Sequence, residues 1–347
     1  MKTTKFNIQD FIRENVKQMV AYSSARDEFT EVADVYLDAN ENPFENGVNR
    51  YPDPFQKVLK ARLSEIKNVP VENILLGNGS DEVLDLIFRA FCEPKQDNVI
   101  CTPPTYGMYK VLSRLNDIEL KDSFLTIDFT LNVDDILNQI NADTKIIFLC
   151  SPNNPTGNSI PKEQIETILE KSNCLVVIDE AYIDFSEEES WSTKLNTYPN
   201  LIVCQTLSKA WGMAGIRLGI CYASSEIISV LNKIKPPYNV NVLTQQKALE
   251  ALNNEEGFKQ KLTKILSERI KLKEALKQLP FIEKIYPTDA NFWLIKVDDA
   301  NKRYNQLLEK SVVIRNRTTQ PLCENCLRIT LGTSFENNKL LKALKEL

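Results

Sequence analysis

Four short stretches of the chain each carry an unbroken apolar run: NVICT (98–102), KIIFLC (145–150), CLVVIDE (174–180) and LIVCQT (201–206). A strand with one face in water alternates apolar and polar residues. An unbroken run suits a strand covered on both faces, which is the habit of parallel sheets. Helical patterns lie between the runs. In SDEVLDLIFRAF (80–91), Val83, Leu84, Ile87 and Phe91 recur at helical spacing, Ser80 can cap the start, and Asp81 and Glu82 fall in the first turn. This alternation, from about 71 to 245, predicts an α/β unit built on a parallel sheet.

The texture changes after the Pro236-Pro237 pair. Residues 254–279 read as one long charged helix. A strand (ANFWLIKV, 290–297), a helix (299–310), two short strands (VVIR, 312–315, and LRITLG, 327–332) and a helix carrying Leu340, Leu341, Leu344 and Leu347 follow. We expect a smaller α+β domain here, made of residues 246–347 with the segment 1–30, whose short helix pattern around Ile8–Met19 can pack on it. Residues 31–245 form the larger domain.

Composition narrows the choice of chemistry. Of 347 residues 43% are apolar and 26% charged, with net charge −5, so no global field favours nucleic acid. No apolar run approaches the roughly 18 residues of a membrane span. MKTTKFNIQDFIRENVKQ lacks a signal-peptide core, and cysteines inside strand-like runs suit a reducing compartment, so a cytoplasmic location is expected. Cys323 and Cys326 make a lone CxxC, too little for a metal site, and no metal is expected. The chain has no histidine, which removes Ser-His-Asp and Cys-His catalysis. Acid–base work near neutral pH then falls to lysine, carboxylate, tyrosine or a cofactor.

In an open parallel sheet, ligands bind beyond the carboxyl ends of the strands. SPNNPTGN with Asn154 follows one run, DEAY with Asp179 and Tyr182 the next, and TLSK with Thr206, Ser208 and Lys209 the third; GNGSDE (77–82) opens a helix. A strand-end carboxylate can keep a pyridine nitrogen protonated. A lysine whose pKa is lowered can form an imine with an aldehyde. Gly79, Ser80 and Asp81 at a helix start offer N–H groups to a phosphate, which Thr206, Ser208 and Arg217 can complete. Asn154 and Tyr182 can hold a phenolate oxygen, and Tyr106 can stack on a ring. One ligand has all these parts, pyridoxal 5′-phosphate (PLP).

The ordered set NNPTG, DEAY and SKAWGMAGIRLG resembles the fold-type I PLP-dependent aminotransferases. LDANENPF (37–44), NRYPDP (49–54), GNGSDE and CLRITLGT (326–333) are similar to the histidinol-phosphate branch. The resemblance implies a large domain with a mixed, mostly parallel sheet flanked by helices, plus the smaller domain. It implies a homodimer with shared sites, acting on a phosphorylated amino alcohol and a 2-oxo acid in histidine biosynthesis. By the same resemblance Lys209 is the imine lysine and proton carrier, Asp179 partners the ring nitrogen, and Asn154 and Tyr182 hold the ring oxygen. Tyr51 reaches the phosphate site of the partner subunit, and Tyr22, Asn154, Arg315 and Arg328 meet the substrate. An aromatic amino-acid aminotransferase or a threonine-phosphate decarboxylase shares the scaffold. A non-catalytic regulatory relative would lack the lysine or carry a DNA-binding module.

Overall fold

The computed structural model describes residues 6–21 and 33–347. After two short helices, α1 (Glu14–Gln18) and α2 (Lys57–Lys67), the chain alternates strand and helix. The order is β1 (Ile74–Asn78), α3 (Ser80–Phe91), β2 (Asn98–Cys101), α4 (Met108–Leu115), β3 (Glu119–Asp122), α5 (Val133–Gln139), β4 (Thr144–Cys150), α6 (Lys162–Lys171), β5 (Leu175–Asp179), β6 (Leu201–Thr206) and β7 (Leu218–Ala223). They form a seven-stranded sheet in the order β1-β7-β6-β5-β4-β2-β3. Pairing is parallel from β3 through β6, whereas β7 lies antiparallel to both β6 and β1. The carboxyl ends of β1, β2, β4, β5 and β6 therefore share one edge with the start of β7.

Both faces of the inner strands are buried, which accounts for the unbroken apolar runs. Along β4, Ile147 and Leu149 face one core with Leu63 of α2 and Ile165 and Ile168 of α6. Ile146, Phe148 and Cys150 face the other, with Leu84, Ile87 and Phe88 of α3 and Leu112 of α4. Helix α7 (Ser225–Ile234) adds Ile227, Ile228 and Leu231 to that second core.

Two packing details differ from the sequence expectation. Ile8, Phe11, Ile12 and Val16 join the core around α3, not the smaller unit. The Arg13 N–H bonds to Ala90 O at 3.0 Å and Lys233 Nζ donates to Val16 O at 2.6 Å, so this segment closes the larger sheet. Helix α8 (Val242–Leu252) spans the expected boundary at 245/246, yet Ala248 and Leu252 are buried in the large core.

The smaller unit begins with α9 (Glu255–Leu276) and contains β8 (Ile282–Ile285), β9 (Phe292–Val297), α10 (Ala300–Glu309), β10 (Arg315–Asn316), β11 (Cys326–Thr330) and α11 (Ser334–Lys345). Its antiparallel sheet has the order β10-β11-β9-β8, with Leu272, Leu276, Ile295, Leu307, Leu327 and Leu344 in its core. A small cluster of Tyr182, Phe185, Ala210, Ala290 and Phe292 joins the two units beneath the site.

Candidate active site

A cavity of about 560 Å³ opens at the shared strand edge, between the large sheet and β10–β11. Ser80, Asp81, Tyr106, Asn154, Asp179, Tyr182, Thr206, Ser208, Lys209, Arg217, Arg315 and Arg328, all named from the sequence, line it. Gly79 lies directly behind the Arg217 side chain. Tyr22 lies outside the described residues. Tyr51 is not on the wall of its own chain's cavity. It is 49% exposed, with its ring stacked on Tyr238 at 4.4 Å.

The phosphate-like end is built by close backbone approach. Gly79 has φ +83° and is the N-cap of α3, without a capping side chain, so the first-turn N–H groups are left for a ligand. A Cβ at Gly79 would stand 2.5 Å from Arg217 Nη2. A Cβ at Gly219 would stand 2.3 Å from the backbone nitrogen of Ser80, so only glycine lets β7 meet the start of α3 this closely. Arg217 is itself left-handed (φ 55°) and turns its guanidinium to Asp81, 3.6 Å away. Tyr106 donates its hydroxyl to the other Asp81 oxygen at 2.9 Å. Thr206 Oγ1 lies 3.0 Å from Ser208 Oγ and accepts the Ser208 N–H at 3.1 Å, which sets both hydroxyls side by side.

Asp179 ends β5 on the cavity wall and is almost fully buried. Its oxygens accept from the Tyr109 hydroxyl at 2.8 Å and the Ala181 N–H at 3.1 Å, not from a cation. Burial raises its pKa, against the lowering effect of those two bonds and of Lys209. Glu180, on the alternate face, is tied away from the cavity by Ser190, Gln205 and the Trp191 N–H, and burial raises its pKa to about 7. In DEAY only the first acid is available to a ligand.

Lys209 is exposed, but to the cavity it lines. Its ammonium sits 5.6 Å from the Tyr182 ring centroid. Partial dehydration lowers its pKa, and Arg328 and Arg217 lower it further, against Asp179 and Asp81. Burial likewise raises the Tyr182 pKa, so its hydroxyl stays protonated. Arg328, on β11 directly across from Arg315 on β10, donates to the Asn154 side-chain oxygen and so closes the small unit onto the loop after β4.

This donor set fits the cofactor that the resemblance implies. An open helix start with two hydroxyls and an arginine matches a phosphate. A buried carboxylate lacking a cationic partner matches a protonated ring nitrogen. A lysine of lowered pKa stands in the same cavity. Two further residues of the site carry little signal in the sequence. Tyr109 falls on the apolar stripe of α4 and reads as core, while Arg317 is signalled only by its spacing from Arg315. Removing the Tyr109 hydroxyl leaves an Asp179 oxygen unpaired. Tyr109→Phe is therefore expected to keep the fold and slow turnover roughly tenfold, checked by single-turnover kinetics, because a hydrogen bond to a charged group is worth about 1.5–3 kcal/mol.

Comparison with known proteins agrees with this geometry. Residues 22–344 match the family "Aminotransferase class I and II". The chain is 63% identical to a histidinol-phosphate aminotransferase of Christiangramia forsetii, covering 99% of this chain and 98% of that one. The solved histidinol-phosphate aminotransferase of Clostridium acetobutylicum superposes with TM-score 0.79 at 26% identity, over 86% of this chain and 90% of that one. That of Sinorhizobium meliloti, in complex with pyridoxal 5′-phosphate, shares the fold, with TM-score 0.79 at 24% identity over 86% and 82%. The chain belongs to the class I and II aminotransferases and, within them, to the histidinol-phosphate aminotransferase family.

Proposed function

We propose that this protein is a PLP-dependent aminotransferase that interconverts histidinol phosphate and 2-oxoglutarate with imidazole-acetol phosphate and glutamate. The observation carrying this reading is the convergence of Lys209, Asp179 and the arginines of β10–β11 on one cavity. Bound PLP supplies an aldehyde that exchanges amines and a ring that accepts the electron pair left when the amine-bearing carbon loses its proton.

The chain's own groups do the rest. Ser80, Thr206, Ser208 and Arg217 hold the cofactor phosphate and fix the ring's position. Asp179 keeps the ring nitrogen protonated, and Tyr109 holds that carboxylate in place. Asn154 and Tyr182 orient the ring oxygen. Lys209, with its pKa lowered, spends time as a free amine and takes the proton from the substrate's amine-bearing carbon. Lys209 would carry that proton between the substrate carbon and the bound cofactor. Arg315 and Arg328 present guanidinium forks that accept phosphate or carboxylate.

No described helix is long and apolar enough to cross a membrane, and a cytoplasmic location suits a biosynthetic aminotransferase. The active form is a homodimer. Phe44, Val48, Tyr51 and Phe55 expose 38–79% of their surface along one stretch, an apolar patch suited to a second copy. From there Tyr51 reaches the neighbouring phosphate site.

Purified enzyme loaded with PLP is expected to form glutamate from histidinol phosphate and 2-oxoglutarate. Threonine phosphate is expected to release no carbon dioxide. Carbon dioxide release without glutamate formation would replace this reading with a decarboxylase.

A further inference from the structure

Three guanidinium groups, not two, enter one end of the cavity: Arg315, Arg317 and Arg328. Arg317 follows Arg315 by two positions, so extended backbone sends both side chains the same way. Its N–H bonds to Cys326 O at 2.9 Å, which fixes it beside the start of β11. Its Nε and that of Arg328 are buried without hydrogen-bond partners.

The charge at this end is unbalanced. Both acids on the cavity wall have other work: Asp81 holds Arg217 and Tyr106, and Asp179 accepts from Tyr109 and Ala181. Burial first, then Arg328 and Arg315, lowers the Arg317 pKa to about 10. One guanidinium fork satisfies a carboxylate. A third arginine adds repulsion that a single negative charge does not offset. A phosphate monoester brings a charge of about −1.5 to −2 and three acceptor oxygens.

We infer that Arg317 is a specificity residue that favours the phosphate end of an amine substrate over the carboxylate end of glutamate. The inference rests on the reading above that the enzyme takes both. It makes the two half-reactions unequal in their use of the arginines: all three for the phosphate, fewer for the carboxylate.

The test compares wild-type and Arg317→Gln holoenzyme with three amine donors: histidinol phosphate, histidinol and glutamate. For histidinol phosphate, kcat/KM is expected to fall about 10–100-fold, mostly through KM, as lost charge-assisted bonds imply. For the other two donors the change stays within about threefold. Inorganic phosphate, as a competitive inhibitor against glutamate, weakens by a comparable factor. Equal losses for all three donors, or none for the phosphorylated one, would overturn the assignment. If Arg317→Gln does not fold, Arg317→Lys is read the same way at smaller amplitude, since it keeps the charge but not the fork. If wild-type enzyme ignores histidinol phosphate, the substrate reading fails separately. The inorganic-phosphate comparison then decides Arg317: weaker inhibition supports it and unchanged inhibition overturns it.

Discussion

Replacing Lys209 with alanine is expected to lower transamination by at least about 10⁴-fold while leaving the fold intact. A positioned general acid–base contributes roughly 10²–10⁴-fold, and in the proposed function Lys209 is in addition the amine that links the enzyme to its cofactor. The neighbouring groups explain why the effect should be this large. Tyr182, Asp179 and Arg328 line the same cavity, but Tyr182 and Arg328 stay protonated, the Asp179 carboxylate is a far weaker base than an amine, and the chain has no histidine to stand in. The lowered Lys209 pKa also predicts the pH response. The neutral amine is the working form, so the rate rises with pH through that lowered value and then levels. Removing the charge of Arg328, the second cause of the lowering, moves this rise to higher pH. Glutamate formed per active site in a single turnover measures the loss. Partial rescue by a small added amine would separate lost proton transfer from lost structure. Turnover near the wild-type rate by Lys209→Ala would sink the assignment.

Much of this site is legible in the sequence because parallel strands announce themselves. The runs at 98–102, 145–150, 174–180 and 201–206 each correspond to a strand of the large sheet, and the residues just past their ends meet in one cavity. Periodicity is less informative where backbone bonds serve another purpose. VVIR (312–315) reads as a strand, yet only Arg315–Asn316 pair. Ser311 is left-handed (φ 59°) and the Val312 N–H bonds to Leu307 O, so the stretch first finishes α10. LRITLG (327–332) ends as a strand at Thr330, because the Gly332 N–H bonds to the Asn337 side chain, tying the chain to the first turn of α11. The antiparallel placement of β7 is not legible either. The close approach of β7 to the start of α3, which needs Gly219, is likewise a tertiary fact with no local signature. Tyr109 illustrates the same limit within the site. An aromatic residue on an apolar stripe reads as packing, and its hydroxyl matters only because the fold ends β5 beside it.

Asp179→Asn carries the second large effect, and it separates stability from function. The neutral amide cannot hold a proton on a ring nitrogen, so the developing charge loses its electrostatic sink. The expected loss in kcat is about 10²–10³-fold, the size seen when one preorganised electrostatic contact is removed. Stability of the cofactor-free protein should move the other way. The folded pKa of Asp179 lies above the unfolded value of about 3.9, so the folded state binds the proton more tightly. That contribution is fully present below about pH 3.9 and is lost as pH rises through the folded value. At neutral pH the ionised carboxylate is therefore a burden that asparagine removes. Cofactor-free Asp179→Asn should melt higher than cofactor-free wild type at pH 7, with the gap closing as pH falls toward 4. Adding PLP should raise the wild-type midpoint more than that of the variant, because only the carboxylate gains a cationic partner. Thermal melts of both proteins, with and without cofactor, across this pH range read all three effects. A cofactor-free variant less stable than wild type at pH 7 would mean that Asp179 is a structural anchor and not an acid kept for a ligand.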